Sequence, residues 1–214
     1  MKKCYIVGGG DFFAEAFRPD ENALIIAADA GYKVLCDIGI TPDIVVGDFD
    51  SLGYTPDHPE TEVHSPVKDD TDMMLAVERG IENGCDEFYI FGATGGRIAH
   101  TLGNLQVLAF LAEKGFSGYV FDRDTVITVV CESALAFDKD ASGYISLMPF
   151  GCDKAEVTLN GFKYEVENCD LPYIRPLGIS NEFTGKKAKL TVHSGTVVAV
   201  WENIAVMPVR EVSE

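Results

Sequence analysis

Up to about residue 122 the chain alternates short β-branched runs with segments whose apolar residues recur every three or four positions. Beyond that point the helical interval disappears. Such an alternation predicts parallel strands joined by crossover helices. Strands are expected at residues 5–7, 23–28, 44–46, 61–65, 87–91 and 117–122, and helices at 30–39, behind Thr71 (Met74, Val77, Ile81) and from Ile98 (Leu102, Leu105, Ala109, Ala112). From Arg123 onward, apolar runs at 125–130, 144–148, 155–159, 190–193 and 197–201 are separated by Gly, Asn, Asp and Pro, with Ser194-Gly195 as a hairpin turn. The expected architecture is an α/β N-terminal domain (1–122) with a mainly parallel, Rossmann-like three-layer sheet, then an all-β, sandwich-like C-terminal domain (123–214). No Pro- or Ser-rich linker, repeat or low-complexity tract marks the boundary.

Charge narrows the partners. Against 17 Lys+Arg stand 34 Asp+Glu, a net charge of -17, which argues against nucleic acid and anionic membranes. It leaves small phosphorylated ligands open, because a divalent metal and a few placed cations invert the field locally. The six cysteines are scattered with no C-x-x-C pair, as expected of reduced thiols in a cytoplasmic protein. The apolar run after Lys2-Lys3 is a first strand, too short for a signal peptide, and no run reaches transmembrane length.

Four polar clusters fall at the expected carboxyl edge of the parallel sheet, where such folds bind ligands: Asp29, Asp48/Asp50, Asp69 to Asp72, and the 92–97 loop. In Val46-Gly47-Asp48-Phe49-Asp50-Ser51, a strand stops at a glycine and sets two carboxylates two residues apart. Crowded carboxylates repel one another, and Mg²⁺, its octahedron completed by waters and phosphates, makes the arrangement favourable. A strand end followed by an Asx turn uses the same residue types. In Lys68-Asp69-Asp70-Thr71-Asp72, Thr71 sits at an N-cap and Asp72 in the first helical turn, where an acid complements the helix dipole by about 0.3–1 kcal/mol. Three acids in four residues exceed that need, and with Asp48 and Asp50 they would cage one or two divalent ions.

Gly92-Ala93-Thr94-Gly95-Gly96-Arg97 lacks the Lys-Ser/Thr ending of a P-loop and the spacing of a dinucleotide fingerprint. Gly95 and Gly96 nevertheless let main-chain N–H groups approach a phosphate. Arg97 is either a planar phosphate donor or a helix-surface guanidinium, and His100 is expected as a satisfied, half-buried histidine rather than a site residue. In the β-rich half, a flat cationic heteroaromatic could stack on Tyr164 and bond to Ser180 or Asn181, although turns flanking core strands use the same residues. Trp201 is expected in the core. From the residues alone, a D-x-D nucleotide-sugar transferase and a non-catalytic nucleotide or vitamin sensor remain rivals to a phosphoryl-transfer enzyme, the acid cluster favouring chemistry.

Taken together, Ala28-Asp29-Ala30-Gly31, Pro42-Asp43, Gly47-Asp48-Phe49-Asp50-Ser51, Lys68 to Asp72, the 92–97 loop, Gly161-Phe162-Lys163-Tyr164 and Gly178-Ile179-Ser180-Asn181 resemble the thiamine pyrophosphokinases in order and spacing. The resemblance implies Mg²⁺-dependent transfer of the pyrophosphoryl group of ATP to the hydroxyethyl arm of thiamine, giving thiamine diphosphate and AMP. It implies a homodimer with the cleft between subunits. By the same likeness Asp48, Asp50 and Asp72 match the acidic metal positions, and Asp29, Thr71, Gly95, Gly96 and Arg97 the nucleotide side. Asp69, Tyr164, Ser180 and Asn181 fall with the substrate, the last three in segments that meet thiamine. Two departures stand out: Ala30 where the family pattern has Gly, and Ala99 where it commonly has an acid.

Overall fold

The computed structural model describes residues 1–65, 67 and 69–212, so Lys68 of the acidic cluster lies outside the described residues. The chain divides into two compact units, residues 1–107 with 116–123, and residues 108–115 with 124–214.

The first unit is built on parallel strands β1 (Lys3–Val7), β2 (Leu24–Ala28), β3 (Ile44–Gly47), β4 (Thr61–Val63), β5 (Glu87–Phe91) and β6 (Ser117–Phe121). Their order is β6-β5-β1-β2-β3-β4, each neighbouring pair parallel. β1 is therefore the switch point: successive strands go to one side of it as far as β4, then to the other. Helices α1 (Gly31–Asp37), α2 (Asp72–Glu82) and α3 (Ile98–Glu113) alternate with the strands.

α2 begins where the sequence places it, with the Thr71 hydroxyl accepting from the Met74 amide at 3.2 Å, a cap worth about 1 kcal/mol. It buries Met73, Ala76, Val77 and Gly80. Gly80 lies so close to Phe88 and Cys4 that a β-carbon there would sit 2.6 Å from the Phe88 ring and 3.1 Å from the Cys4 sulfur, which puts α2 on the sheet face bearing those two residues. Alternation sends Tyr5, Tyr89 and Phe91 to the opposite face. There Tyr5 and Tyr89 stack at 4.8 Å and Phe91 and Phe121 at 4.7 Å, while Phe17 meets Phe91 edge-on at 5.1 Å. Each such pair adds about 0.5–1.5 kcal/mol beyond its buried area.

The second unit is antiparallel. Its strands are β7 (Thr125–Cys131), β8 (Ser133–Phe137), β9 (Tyr144–Pro149), β10 (Lys154–Asn160), β11 (Val166–Pro172), β12 (Gly178–Glu182), β13 (Ala188–Ser194), β14 (Thr196–Glu202) and β15 (Val209–Val212). They form a sheet β12-β9-β14-β7 and a second sheet β11-β10-β13-β8-β15. Phe137 of β8 meets Trp201 of β14 at 5.5 Å and Phe183 at 5.0 Å, so the two sheets share a sandwich-like core. Trp201 is 1% exposed, in the core as expected. Among the described residues no helix is long and apolar enough to cross a membrane.

Candidate active site

The carboxyl ends of β1, β2, β3 and β5 open into a cavity of about 520 Å³, within the range typical of small-molecule sites. Each wall is the loop that leaves a strand, joined by the start of α2. Gly8-Gly9-Gly10 follows β1, Asp29 and Ala30 follow β2, and Asp48, Asp50 and Ser51 follow β3. Thr71 and Asp72 come from the head of α2, and the 92–97 loop with Ala99, His100 and Asn104 from the β5–α3 junction.

Asp29, Asp48 and Asp50 each present a carboxylate oxygen within 4.8 Å of the others. Parallel pairing of β2 with β3 brings Ala28 opposite Val46, and the Asp29 amide donates to the Val46 carbonyl at 2.8 Å. Asp29 then turns into the left-handed region (φ 48°) and Phe49 does the same (φ 60°). Such angles are uncommon for non-glycine residues, though Asp tolerates them better than most. At Phe49 the turn buries the ring and leaves Asp48 and Asp50 on either side of it. The Asp48 carboxylate accepts from the Asp50 amide at 3.2 Å, and the Ser51 hydroxyl donates to Asp50 at 3.1 Å. The Asx turn and the acidic pair are thus the same structure.

One Asp29 oxygen is buried without a hydrogen-bond partner. Burial pushes its carboxyl above the usual carboxylate range, and the negative charges of Asp72 and Asp50 push the same way, while hydrogen bonds from Ser51 and the Ala30 main chain pull it back. An orphaned buried carboxylate oxygen beside two further carboxylates is a donor set suited to a hard divalent cation.

Asp72 lines the cavity outside that trio and acts on Asp29 through its charge. Thr71, Gly95, Gly96 and Arg97 also line it, and Arg97 is the one Lys or Arg side chain among its described lining residues. Asp69 is exposed and is not among the lining residues. His100 departs from expectation: it is exposed and lines the cavity, because the first turn of α3 is itself open to solvent.

In the second unit, Asn181 is buried and its side chain is bonded on both sides. Its oxygen accepts from the Tyr164 amide at 3.0 Å and the Glu182 amide at 2.9 Å, and its nitrogen donates to the Tyr164 carbonyl at 2.9 Å. This clamp fixes the Tyr164 main chain and leaves the ring 59% exposed. Ser180 is exposed at φ 60° in an irregular stretch of the β9–β12 ladder.

Sequence reasoning passed over Gly8-Gly9-Gly10 and Asn104. A glycine run ending the first strand was a visible signal for the former. For the latter it was the spacing of Arg97, His100 and Asn104, which puts three polar residues on one helical face.

Residues 19–119 match the family model described as thiamin pyrophosphokinase, catalytic domain, and residues 132–197 the model described as thiamin pyrophosphokinase, vitamin B1 binding domain. A curated thiamine pyrophosphokinase of Bacillus subtilis (strain 168) is 34% identical over 188 residues, covering 85% of this chain and 88% of that protein. This chain belongs to the thiamin pyrophosphokinase family. The crystal structure of the thiamine pyrophosphokinase from B. subtilis superposes with a TM-score of 0.84 at 32% identity, covering 94% of this chain and 99% of that one. That of the thiamin pyrophosphokinase from Geobacillus thermodenitrificans gives 0.81 at 29%, covering 94% and 97%. The thiamin pyrophosphokinase reaction, transfer of pyrophosphoryl from ATP to thiamine with release of AMP, is the chemistry this chain carries out.

Proposed function

We propose that the cavity at the carboxyl edge of the parallel strands is the ATP site and that its acidic wall holds Mg²⁺. The observation that carries this is the trio of Asp29, Asp48 and Asp50, oxygens within 4.8 Å of one another, across one cavity from a glycine-rich loop ending in Arg97. Asp48 and Asp50 are the central ligands in this reading, with Asp72 completing the set from the head of α2 and Asp29 adjoining it. Bound there, Mg²⁺ supplies charge neutralisation for the phosphate oxygens.

The remaining work belongs to the chain. Thiamine's hydroxyl oxygen attacks the β-phosphorus, the bond from that phosphorus to the oxygen shared with the α-phosphate breaks, and AMP leaves carrying that oxygen while the hydroxyl proton is lost. Arg97 and the N–H groups around Gly95 and Gly96 hold phosphate oxygens, and Thr71 adds a hydroxyl from the head of α2. The gain is positioning and electrostatic stabilisation rather than covalent catalysis. Asp69, which stands two residues before the Thr71 cap, and Tyr164, Ser180 and Asn181 in the second unit, are assigned to thiamine, with the exposed Tyr164 ring as its stacking platform. The ATP- and Mg²⁺-binding domain is taken as 1–122 and the thiamine-binding domain as 123–214. The all-parallel order with its switch at β1 supports a Rossmann-like description of the former. Incubation with ATP, Mg²⁺ and thiamine is expected to yield AMP and thiamine diphosphate in equal amounts. ADP as the nucleotide product would refute transfer at the β-phosphorus.

The same reading includes a homodimer with the cleft between subunits, in the cytoplasm. Tyr173, Ile174, Leu177 and Ile179 stand 65%, 72%, 54% and 44% exposed around the β11–β12 connection, a run of apolar side chains that a second copy would cover. Light scattering is expected to give twice the chain mass, and a monomer at micromolar concentration would sink the shared cleft.

A further inference from the structure

Four successive carbonyls at the end of β5 are each occupied. The Gly8 amide donates to Phe91 O at 2.8 Å, the Gly10 amide to Gly92 O at 2.8 Å and the Asp11 amide to Thr94 O at 2.9 Å. The fourth, Ala93 O, is held differently, by the side-chain amide of Asn104 at 2.7 Å. Three of the clamps are main chain and survive substitution of their side chains. The Ala93 clamp depends on one side chain, reaching back 11 residues from the second turn of α3.

Because a trans peptide is planar, each carbonyl points opposite to the N–H of the following residue. Pinning the carbonyls of Gly92, Ala93 and Thr94 therefore fixes the directions of the N–H groups of Ala93, Thr94 and Gly95. Left-handed angles at Gly92 (φ 61°), Gly95 (φ 75°) and Gly96 (φ 55°) stand on either side of Ala93 and Thr94, and turns of this kind aim successive N–H groups at an anion. Asn104 is half-buried and lines the cavity beside the loop it holds.

We propose that Asn104 is a positioning residue for the reaction, its amide orienting the Ala93–Thr94 peptide so that the loop is preformed for the triphosphate. The inference rests on the cavity being the ATP site. A loop already in its bound conformation spares the ordering cost on binding, so the loss of Asn104 falls on ATP and leaves thiamine alone.

The test compares Asn104→Leu, which keeps the bulk without the donor, with Asn104→Gln, which keeps an amide, in the full chain. Asn104→Leu is expected to raise KM for ATP about tenfold at an unchanged KM for thiamine, to weaken Mg·ATP in titration calorimetry by the same factor, and to melt close to the parent. Asn104→Gln is expected to recover most of the loss. Parent-like KM for ATP in Asn104→Leu overturns the proposal. So does a joint rise in both KM values with a lowered melting temperature and no recovery in Asn104→Gln, which would mark a merely structural role. Parent turnover reports separately on the functional reading: a parent that binds Mg·ATP but forms no AMP refutes that reading, while the calorimetric ratio still decides the role of Asn104.

Discussion

Asp48→Asn is expected to lower kcat/KM about a thousandfold while leaving the metal-free protein as stable as the parent or slightly more so. The two halves of that expectation come from the same geometry. Asparagine keeps the oxygen that accepts from the Asp50 amide at 3.2 Å, so the turn that buries Phe49 survives the change. What disappears is one negative charge from a trio whose oxygens lie within 4.8 Å of one another. Without a cation those charges repel, and removing one relieves the fold. With Mg²⁺ and ATP present, the same loss takes away an anionic ligand where charge must be neutralised in the transition state. A thousandfold corresponds to about 4 kcal/mol of barrier, within the several kcal/mol a bound metal supplies. Mg²⁺ should raise the melting temperature of the parent and have little effect on the variant. Asp72→Asn is expected to follow the same pattern in turnover, since its charge already reaches Asp29 across the cavity. Near-parent turnover in Asp48→Asn at saturating Mg²⁺ would remove that carboxylate from the ion's ligands.

The acidic pair and the helix cap were legible because their signals are local: a strand ending in Gly-Asp-x-Asp, and a Thr as the third residue of the run Asp69-Asp70-Thr71-Asp72. Asp29 was legible as a residue of the same sheet edge, but its approach to Asp48 and Asp50 was not, because it comes only through the pairing of β2 with β3, and strand order leaves no mark on a single sequence. The strands that escaped notice share a physical cause. β11, β12 and β15 are the outermost strands of their sheets, so each is paired on one side only. β11 and β12 keep a mostly exposed pattern with little period-two alternation to read. β8 was missed because the face that carries Leu135 and Phe137 begins at the polar Ser133, and the alternate positions are the small Ala134 and Ala136, so the strand gives a weak apolar signal. The departure at Ala30 also becomes intelligible. A β-carbon on Gly9 would lie 2.7 Å from the Ala30 methyl, so the facing loop has room for that methyl because position 9 is glycine.

Gly31→Ala is expected to destabilise the chain by about 3 kcal/mol, the upper end of the usual overpacking cost. In melting temperature that is a fall of roughly 6–12 °C for a protein of this size. Gly31 opens α1 directly against the end of β1, and a β-carbon there would lie 1.8 Å from the Val7 carbonyl oxygen and 2.5 Å from its carbon. Both obstacles are main chain in a strand hydrogen-bonded on both sides, so no rotamer change relieves the overlap and α1 has to move. Asp29 lies two residues upstream, and the Tyr32 amide donates to its carbonyl at 3.1 Å, so that displacement pulls on the trio as well. Activity should then fall further than the unfolded fraction accounts for. Gly103→Ala supplies the control: it lies within α3 with open space around the added carbon, and replacing a helical glycine there should stabilise by about 0.4–1 kcal/mol. Opposite signs for one chemical change at two glycines separate the close approach at β1 from any general effect of the added methyl group. A Gly31→Ala protein melting with the parent would mean that α1 is free to shift away from β1, and that the position of Asp29 is set by the β2–β3 pairing alone.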